Sequence, residues 1–385
     1  MTTMADDKEN RIPNVPHLRE QSQTCLSYAE REELRPKGNV PHLRFPEFSG
    51  EWDTYIIADI LCIGNGRDYK YLSKGDIPVF GTGGYMTSVN ECLYEGETTF
   101  IGRKGTINKP FYYNGKFWTV DTLFYTHSFK RVIPKFVYCL FQTINWLRYN
   151  EASGVPSLSK DTIEKIKVRI PQLDEQKKIA KLLSLLDERI ATQNKIIEKL
   201  ESLIKGIRNE FFGKLRKNVG CNAMIGDVLG YEQPQSYIVE DTEYTDEGTP
   251  VLTANKAFVL GYTSETEGIY DKGDCIIFDD FTLDCKYVDF PFKIKSSAIK
   301  ILTAENKELL RYTFEFLKYL DLSTDEHKRH YIAETQNQEF ILPTTQIVIT
   351  IAHAFSVLSL RMETVVKQRL LFVKQKQYLL RQMFI

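Results

Sequence analysis

The apolar and polar positions between residues 170 and 212 follow the repeat of one long helix. From Ile179 to Phe211, apolar side chains recur at alternating steps of four and three residues, with one interruption at Gln193. This spacing is typical of the heptad seam of a coiled coil. A helix over residues 174–212 would be roughly 58 Å long at 1.5 Å per residue. Such a helix needs a partner, because alone it would expose its apolar seam to water.

A second copy of the same pattern lies 172 residues further along the chain, from Ile351 to Met383. Ile170-Pro171 precedes the first copy and Leu342-Pro343 precedes the second, and proline is tolerated in the first turn of a helix. The matched length and phase predict that the two helices pair with each other. If a two-fold axis relates the repeats, the helices run antiparallel. The seam residues predicted to form the pairing are Ile179, Leu183, Leu186, Ile190, Ile197, Leu200, Ile204, Ile351, Phe355, Leu358, Met362 and Val365.

The stretches that precede each helix predict two globular domains. Short β-branched and aromatic runs alternate with Gly, Asn and Asp turns, which indicates many short strands. The two stretches also resemble each other, since Ile57–Leu61 reads like Ile225–Leu229. Each ends in a helical pattern, at residues 134–146 and 308–320. The predicted class is α+β, with two mixed α/β domains separated by two long antiparallel coiled-coil helices in a pseudo-two-fold internal repeat.

This organisation divides the chain into five parts. We expect an N-terminal extension, a first globular domain, a central helix, a second globular domain and a C-terminal helix, at residues 1–39, 40–169, 170–217, 218–341 and 342–385 respectively.

Composition narrows the functional classes. Hydrophobic content of 42% and charge of 26% are ordinary for a soluble globular protein, and the sequence does not predict a membrane-spanning helix. Seven scattered cysteines, an odd number without a CxxC pair, favour reduced thiols in the cytoplasm. The net charge of −1 does not suggest nucleic-acid binding, so any such function must depend on local charge.

We find no pattern that indicates catalysis. The sequence lacks a phosphate-binding GxxxxGK[ST] loop, a GxGxxG loop between a strand and a helix, and histidine or cysteine spacing suited to a metal. We therefore expect no catalytic residues, no metal and no cofactor bound by this chain.

Two similar domains at a fixed separation suit a ligand with two sites at a fixed separation, and double-stranded DNA is such a ligand. Arginine and lysine bind guanine edges or phosphates, and asparagine binds adenine. Ordinary solvated turns remain an equal alternative at these positions. The candidate DNA-binding residues are Lys70, Thr82, Tyr85, Arg103 and Lys104 in the first domain, and Thr253, Asn255, Lys256, Lys295 and Arg329 in the second.

Charge is distributed unevenly in the second half of the chain. Residues 232–289 contain 14 acidic and 3 basic side chains, whereas residues 195–217 contain seven basic and three acidic ones. Because phosphate neutralisation dominates DNA affinity, most of the acidic segment cannot face DNA. We expect weak DNA binding by the isolated chain.

Three stretches together resemble a known family. They are RFPEFSGEW (44–52), SGVPSLSKDTIEKIKVRIPQLDEQKKIAKLLSLLDERI (153–190) and the helix that follows Leu342-Pro343. They resemble the specificity subunit of type I restriction-modification systems, over nearly the whole chain from about residue 40. The resemblance implies two target-recognition domains that read a bipartite DNA sequence with an unread spacer.

The resemblance also implies partners. Modification subunits carry S-adenosylmethionine and methylate adenine, and restriction subunits translocate and cut DNA using ATP and Mg²⁺, so these cofactors are expected on the partners. One departure concerns the second helix, where residues 345–348 read TQIV and the first helix has LDEQ at residues 173–176. The alternative function is a protein-binding coiled-coil scaffold without DNA readout. A self-contained nuclease or methyltransferase is disfavoured by the missing motifs.

Overall fold

The computed structural model describes residues 38–254, 258–324 and 328–385. This part of the chain divides into two compact units. The first unit comprises residues 38–190 and 372–385, and the second comprises residues 191–371 without the two short gaps. Of the predicted N-terminal extension, residues 1–37 lie outside the described residues.

The described helices include two that are far longer than the others, α4 with 46 residues and α7 with 39. Each contributes residues to both units. In chain order the α-helices are α1 (Ile57–Ile60), α2 (Pro134–Phe141), α3 (Lys160–Glu164), α4 (Leu173–Asn218), α5 (Ile225–Val228), α6 (Lys307–Leu320) and α7 (Thr345–Met383). The α+β class and the pair of long helices are confirmed.

The first unit is built on a mixed sheet. Within the described residues its strand order is β2-β7-β5-β6-β3-β4, and β3 runs parallel to β6 while the other neighbours are antiparallel. A separate antiparallel pair, β1 with β8, leads the chain into α4. The strands are β1 (Asp53–Ile56), β2 (Cys62–Asn65), β3 (Lys74–Gly81), β4 (Gly84–Val89), β5 (Tyr94–Gly102), β6 (Phe111–Thr119), β7 (Leu123–His127) and β8 (Lys167–Ile170).

The second unit has smaller sheets. Over its described residues the strand orders are β10-β16-β13-β14, β12-β11-β15 and β17-β9. The strands are β9 (Ala223–Met224), β10 (Gly230–Glu232), β11 (Thr249–Leu252), β12 (Val259–Thr263), β13 (Cys275–Asp279), β14 (Cys285–Val288), β15 (Lys293–Ile294), β16 (Ile299–Thr303) and β17 (Glu339–Phe340).

The internal repeat extends to local hydrogen bonding. The N-terminal end of the one-turn helix α1 is capped by Asp59, whose Oδ2 accepts the N–H of Ile56 at 3.2 Å. The one-turn helix α5 is capped in the same way, because Asp227 Oδ2 accepts the N–H of Met224 at 2.8 Å. A carboxylate three residues into a helix satisfies one of the N–H groups that the first turn leaves unpaired.

In the second unit the two long helices pair antiparallel. Arg369 Nε donates to Asn194 Oδ1, and the Arg208 guanidinium lies 5.7 Å from the Phe355 ring. The contact with the higher residue number on α4 therefore has the lower residue number on α7, as expected for antiparallel helices. The apolar seam between these contacts is buried, with Ile197 and Val365 at 6% and 4% exposure.

The first unit contains the other end of the same pairing. Lys376 Nζ donates to Asp187 Oδ1, and Met383 and Phe384 lie in one core with Ile179 and Leu183. The seam interruptions at Arg369 and Lys376 thus coincide with polar partners on α4. All the predicted seam residues are buried or half-buried.

Helix α4 is longer than predicted at its C-terminal end. The sequence pattern suggested an end at Phe212, but the helix continues to Asn218 because Phe212 and Leu215 are both buried in the core of the second unit. Gly220 follows the helix with a φ of +76°, a left-handed conformation that glycine adopts readily at helix C-termini.

Helix α7 has the length and apolar composition of a membrane-crossing helix, with a mean hydropathy of 1.3 over its most apolar window. This differs from the expectation drawn from the sequence. The core helix of a soluble protein has the same properties. Its apolar side chains Val348, Ile351 and Phe355 are buried in the core of the second unit, whereas Val357, Leu360 and Leu371 are exposed.

The beginning of α4 is fixed to the first unit by buried polar side chains. Glu175, which is 2% exposed, accepts two hydrogen bonds of 2.8 Å from the Arg44 guanidinium. Gln176, which is fully buried, accepts from the Ile133 N–H at 3.0 Å and donates to the carbonyls of Arg131 and Pro171 at 2.9 and 2.8 Å. These two residues hold α4 against segments that precede and follow the main sheet.

A different network fixes the helices in the second unit. Glu315 of α6 accepts from Arg208 of α4 at 3.0 and 2.7 Å and from Arg311 at 3.0 Å. Arg311 also donates to the Phe355 carbonyl of α7 at 3.2 Å. Val348, which stands where the first repeat has Gln176, is buried in the apolar core. The missing Glu-Gln pair is therefore replaced by apolar packing at that position and by a separate ionic network.

Candidate nucleic-acid interface

A rigid loop follows β5 at one edge of the first unit. The Arg103 N–H donates to the Thr122 carbonyl at 2.8 Å, the Leu158 N–H to the Arg103 carbonyl at 2.9 Å, and the Gly105 N–H to the Pro156 carbonyl at 2.8 Å. The loop is thus bonded on both sides, to the turn before β7 and to the stretch before α3. Backbone pairing of this kind fixes the positions from which the side chains of Arg103 and Lys104 project.

Beside this loop lies a cleft of about 680 Å³. Its walls carry the cationic side chains of Arg103, Lys104 and Lys160, together with hydroxyl and amide groups from Ser157 and Asn65. Arg103 and Lys104 are exposed, and within the described residues neither forms a salt bridge. The cleft therefore combines three cationic side chains with the carboxylates of Asp121 and Glu151, and this cationic majority at a concave surface suits a nucleic acid.

Arg103 is held in one orientation. Its Nη1 donates to the Asp121 carbonyl at 3.3 Å, and its guanidinium lies 5.9 Å from the centre of the Phe124 ring. The remaining N–H groups of the planar guanidinium are free to donate into the cleft. The Arg103 guanidinium therefore presents a donor fork, a pair of N–H groups with a fixed direction, at the protein surface.

The cleft is also lined by Glu151, whose carboxylate already accepts hydrogen bonds. The hydroxyls of Thr162 and Ser159 donate to Glu151 and lower the pKa of its carboxyl group. Lys160 forms a salt bridge of 3.5 Å with Glu164. Nearby, burial lowers the pKa of His127 and the charge of Lys160 lowers it further.

Among the other residues predicted in this domain, Thr82 lies beside the loop. It occupies the turn between β3 and β4, and its hydroxyl is 3.7 Å from the point where a Cβ on Gly105 would stand. Tyr85 is 64% exposed on β4, where its hydroxyl bonds Ser88 at 3.0 Å. Lys70 is exposed but does not line the cleft. The roles of Thr82, Tyr85 and Lys70 in binding stay predictions.

Gly105 has a φ of +91°, a conformation that costs other residues about 1–2 kcal/mol. We expect Gly105→Ala to lower the unfolding free energy of the first unit by that amount. The matched control is Gly83→Ala in the neighbouring turn, where a Cβ meets nothing within 4 Å and no positive φ is required. Urea denaturation of both variants measures the difference, and equal stabilities would show that the loop relaxes without strain.

In the second unit, three predicted residues lie near one loop, the segment 295–298. The Lys295 N–H donates to the Leu252 carbonyl at 3.1 Å, next to Thr253, whose side chain is 6% exposed. Arg329 Nη2 donates to Ser297 Oγ at 3.4 Å. Lys295 and Arg329 are exposed, so these two are placed to contact a ligand. Asn255 and Lys256 lie outside the described residues.

The acidic segment of the second unit is organised by a buried lysine. Lys293 is 3% exposed; it donates to the Glu267 carbonyl at 2.7 Å and forms a salt bridge with Glu265. Glu265 also accepts the N–H groups of Glu240 and Asp241 at 3.0 and 2.9 Å. These N–H groups and Lys293 lower the pKa of Glu265. The buried Lys293 ammonium thus neutralises part of the negative charge of segment 232–289.

Sequence reasoning missed several residues of the cleft, namely Asn65, Asp121, Ser157 and Lys160. Ser157 and Lys160 belong to the string SGVPSLSK, which drew attention only as part of a resemblance. Its Ser157, Ser159 and Lys160, next to a short helix, were the available signal. Asn65 and Asp121 are single polar residues at strand ends and carry no distinctive pattern.

Comparison with known proteins agrees with this geometry. Residues 49–202 match the sequence model of the type I restriction modification DNA specificity domain. The range includes the whole cleft and the first part of α4. The chain is 42% identical over 151 residues to the type I restriction enzyme EcoR124I/EcoR124II specificity subunit of Escherichia coli, covering 37% of this chain and 35% of that protein.

A second relative is the type I restriction enzyme MjaVIII specificity subunit of Methanocaldococcus jannaschii, 34% identical over 184 residues, covering 46% of this chain and 39% of that protein. The chain thus spans well under half the length of these curated relatives.

The fold is also similar to a crystal structure of the type I restriction-modification system S subunit from M. genitalium. The TM-score is 0.67 at 14% identity, over 90% of this chain and 99% of that one. Residues 49–202 are thus similar to the type I restriction modification DNA specificity domain, and part of the chain is similar to specificity subunits of type I restriction enzymes.

Proposed function

We propose that the chain is a non-catalytic DNA-specificity subunit of a type I restriction-modification complex, acting in the cytoplasm. Each globular domain reads one part of a bipartite DNA target. Modification subunits methylate adenine with S-adenosylmethionine, and a restriction subunit translocates and cleaves with ATP and Mg²⁺. The observation that carries this proposal is the cationic cleft at Arg103, Lys104 and Lys160, which lies within the matched specificity domain.

The two long helices support the bipartite character of the target. They pair in both units, through Asp187 with Lys376 and through Asn194 with Arg369. Two similar domains linked within one chain favour recognition of two sequence elements in one DNA target.

A domain exchange tests this function. Residues 46–150 are replaced by the corresponding segment of a relative with a different target, and the chain is purified with its modification subunits. We expect methylation to change in one half of the recognised sequence and to stay the same in the other half, because each half is read by a different domain. Sequencing of methylated adenines in a DNA library measures both halves at once.

The outcomes separate the candidate functions. A protein-binding scaffold, for which the acidic segment 232–289 is the best support, would leave the methylated sequence unchanged after the exchange. An enzyme would methylate or cleave DNA without added subunits. A specificity subunit changes the methylated sequence after the exchange and is inactive without added subunits. The chain alone is expected to bind DNA weakly.

A further inference from the structure

Two residues with opposite hydrogen-bonding groups, Arg103 and Asp121, line the same cleft. Arg103 presents a donor fork that the Asp121 carbonyl holds in place. The Asp121 side chain is exposed, and across the described ranges no group hydrogen-bonds its carboxylate. One residue can therefore only donate and its neighbour can only accept.

This pairing fits a base pair better than a phosphate. A phosphate next to Arg103 would also approach the Asp121 carboxylate, and two anions in one cleft repel each other. The edge of a base pair carries both acceptors and donors. In the major groove, guanine offers O6 and N7 as acceptors, which arginine binds with two hydrogen bonds, and cytosine offers its N4 amino group to aspartate or glutamate.

We propose that Arg103 and Asp121 together read one G·C base pair of the target from the major groove. The Arg103 guanidinium donates to guanine O6 and N7, and the Asp121 carboxylate accepts from cytosine N4. This inference rests on the proposed function, and it assigns the two residues a role in specificity.

The surrounding structure is suited to this role. The loop that carries Arg103 is bonded to Thr122 and to Leu158, and the Arg103 guanidinium lies 5.9 Å from the centre of the Phe124 ring. A bidentate contact requires a fixed fork, so rigidity here increases discrimination between bases. Glu151, the other carboxylate of the cleft, is already occupied by two hydroxyls.

Lys104 provides a matched control. It is adjacent in sequence, exposed and part of the same cleft, but its ammonium is a compact charge without a fork. We expect it to contact a phosphate. Removal of a phosphate contact weakens binding to all sequences about equally and lowers the salt dependence by about one unit of slope.

The experiment compares Arg103→Lys, Arg103→Gln, Asp121→Asn and Lys104→Gln. Each chain is combined with its modification subunits and S-adenosylmethionine. Methylation rates are measured on the natural target and on duplexes in which each base pair of the two half-sites is replaced in turn. Binding is measured at several salt concentrations.

We expect Arg103→Lys and Arg103→Gln to lower discrimination at one G·C pair by roughly 5- to 150-fold, with discrimination elsewhere unchanged. Asp121→Asn should lower discrimination at the same pair. Lys104→Gln should lower binding uniformly. Arg103→Lys preserves the charge, so its loss of discrimination separates base reading from simple attraction to DNA.

The result that overturns the inference is an Arg103→Lys chain that discriminates at every position as well as the unaltered chain. An Arg103→Gln chain that behaves like Lys104→Gln also overturns it. In either case the unaltered complex still methylates a defined sequence, so the proposed function stands. If the unaltered complex methylates without sequence preference, the proposed function fails and this inference fails with it.

Discussion

Replacement of Glu315 by alanine is expected to lower the unfolding free energy of the second unit by about 3–5 kcal/mol. Glu315 is 1% exposed and accepts hydrogen bonds from Arg208 and Arg311. Without its carboxylate, two guanidinium groups remain largely buried, with side-chain exposures of 15% and 10%. A buried charge without its counter-ion costs far more than the original pair contributed.

Hydrogen exchange of the α6 amides measures this loss within the second unit. The matched control is Glu210→Ala, because Glu210 also pairs with a basic residue, Lys214, but both side chains are about 70% exposed. An exposed pair of this kind contributes little to stability, because both charges remain solvated. Similar losses in the two variants would mean that Arg208 and Arg311 reach solvent when Glu315 is removed.

The second large effect is expected for Gln176→Leu, which should destabilise the first unit by about 3 kcal/mol or more. The substitution keeps a similar volume but leaves the Ile133 N–H and the carbonyls of Arg131 and Pro171 without their partner. Each buried group left unpaired costs about 1–3 kcal/mol.

Thermal unfolding, together with the exchange rate of the Ile133 amide, measures the loss at Gln176. The control is Gln172→Leu, the same chemical change at an exposed position four residues earlier. A Gln176→Leu protein as stable as this control, with the Ile133 amide still protected, would show that water or a backbone shift replaces the side chain.

The long helices could be predicted from the sequence because their signal is local and periodic. The step of four and three residues from Ile179 identifies both the helix and the face that is buried, and Leu183 and Ile351 are accordingly at 0% and 2% exposure. The repeat of the one-turn helices was visible in Ile57–Leu61 and Ile225–Leu229 for the same reason. Each aspartate bonds the backbone three residues before it.

The candidate site could be predicted only in part, because it is assembled from distant segments. Arg103 and Lys104 were recognisable as basic residues in a turn. Their cleft also needs Asn65, the turn at Asp121 and the stretch that contains Lys160. Spacing along the chain does not reveal which strand ends meet when the sheet folds. The sequence also gave no sign that Lys293 would be buried against Glu265, since a lysine is usually solvated.

The first unit is assembled from segments that are far apart in the chain, and this affects the order in which the two units fold. Phe384 stacks on Phe136 at 5.4 Å and packs edge-on against Trp52 at 6.0 Å, and the Leu43 N–H donates to the Gln382 carbonyl at 2.9 Å. On the ribosome, where domains usually fold as they emerge, residues 38–190 must wait for residues 382–384 before their core closes. The second unit, which is continuous between residues 191 and 371, emerges complete at an earlier stage of translation. The half of the protein that is translated first is therefore the half that finishes folding last.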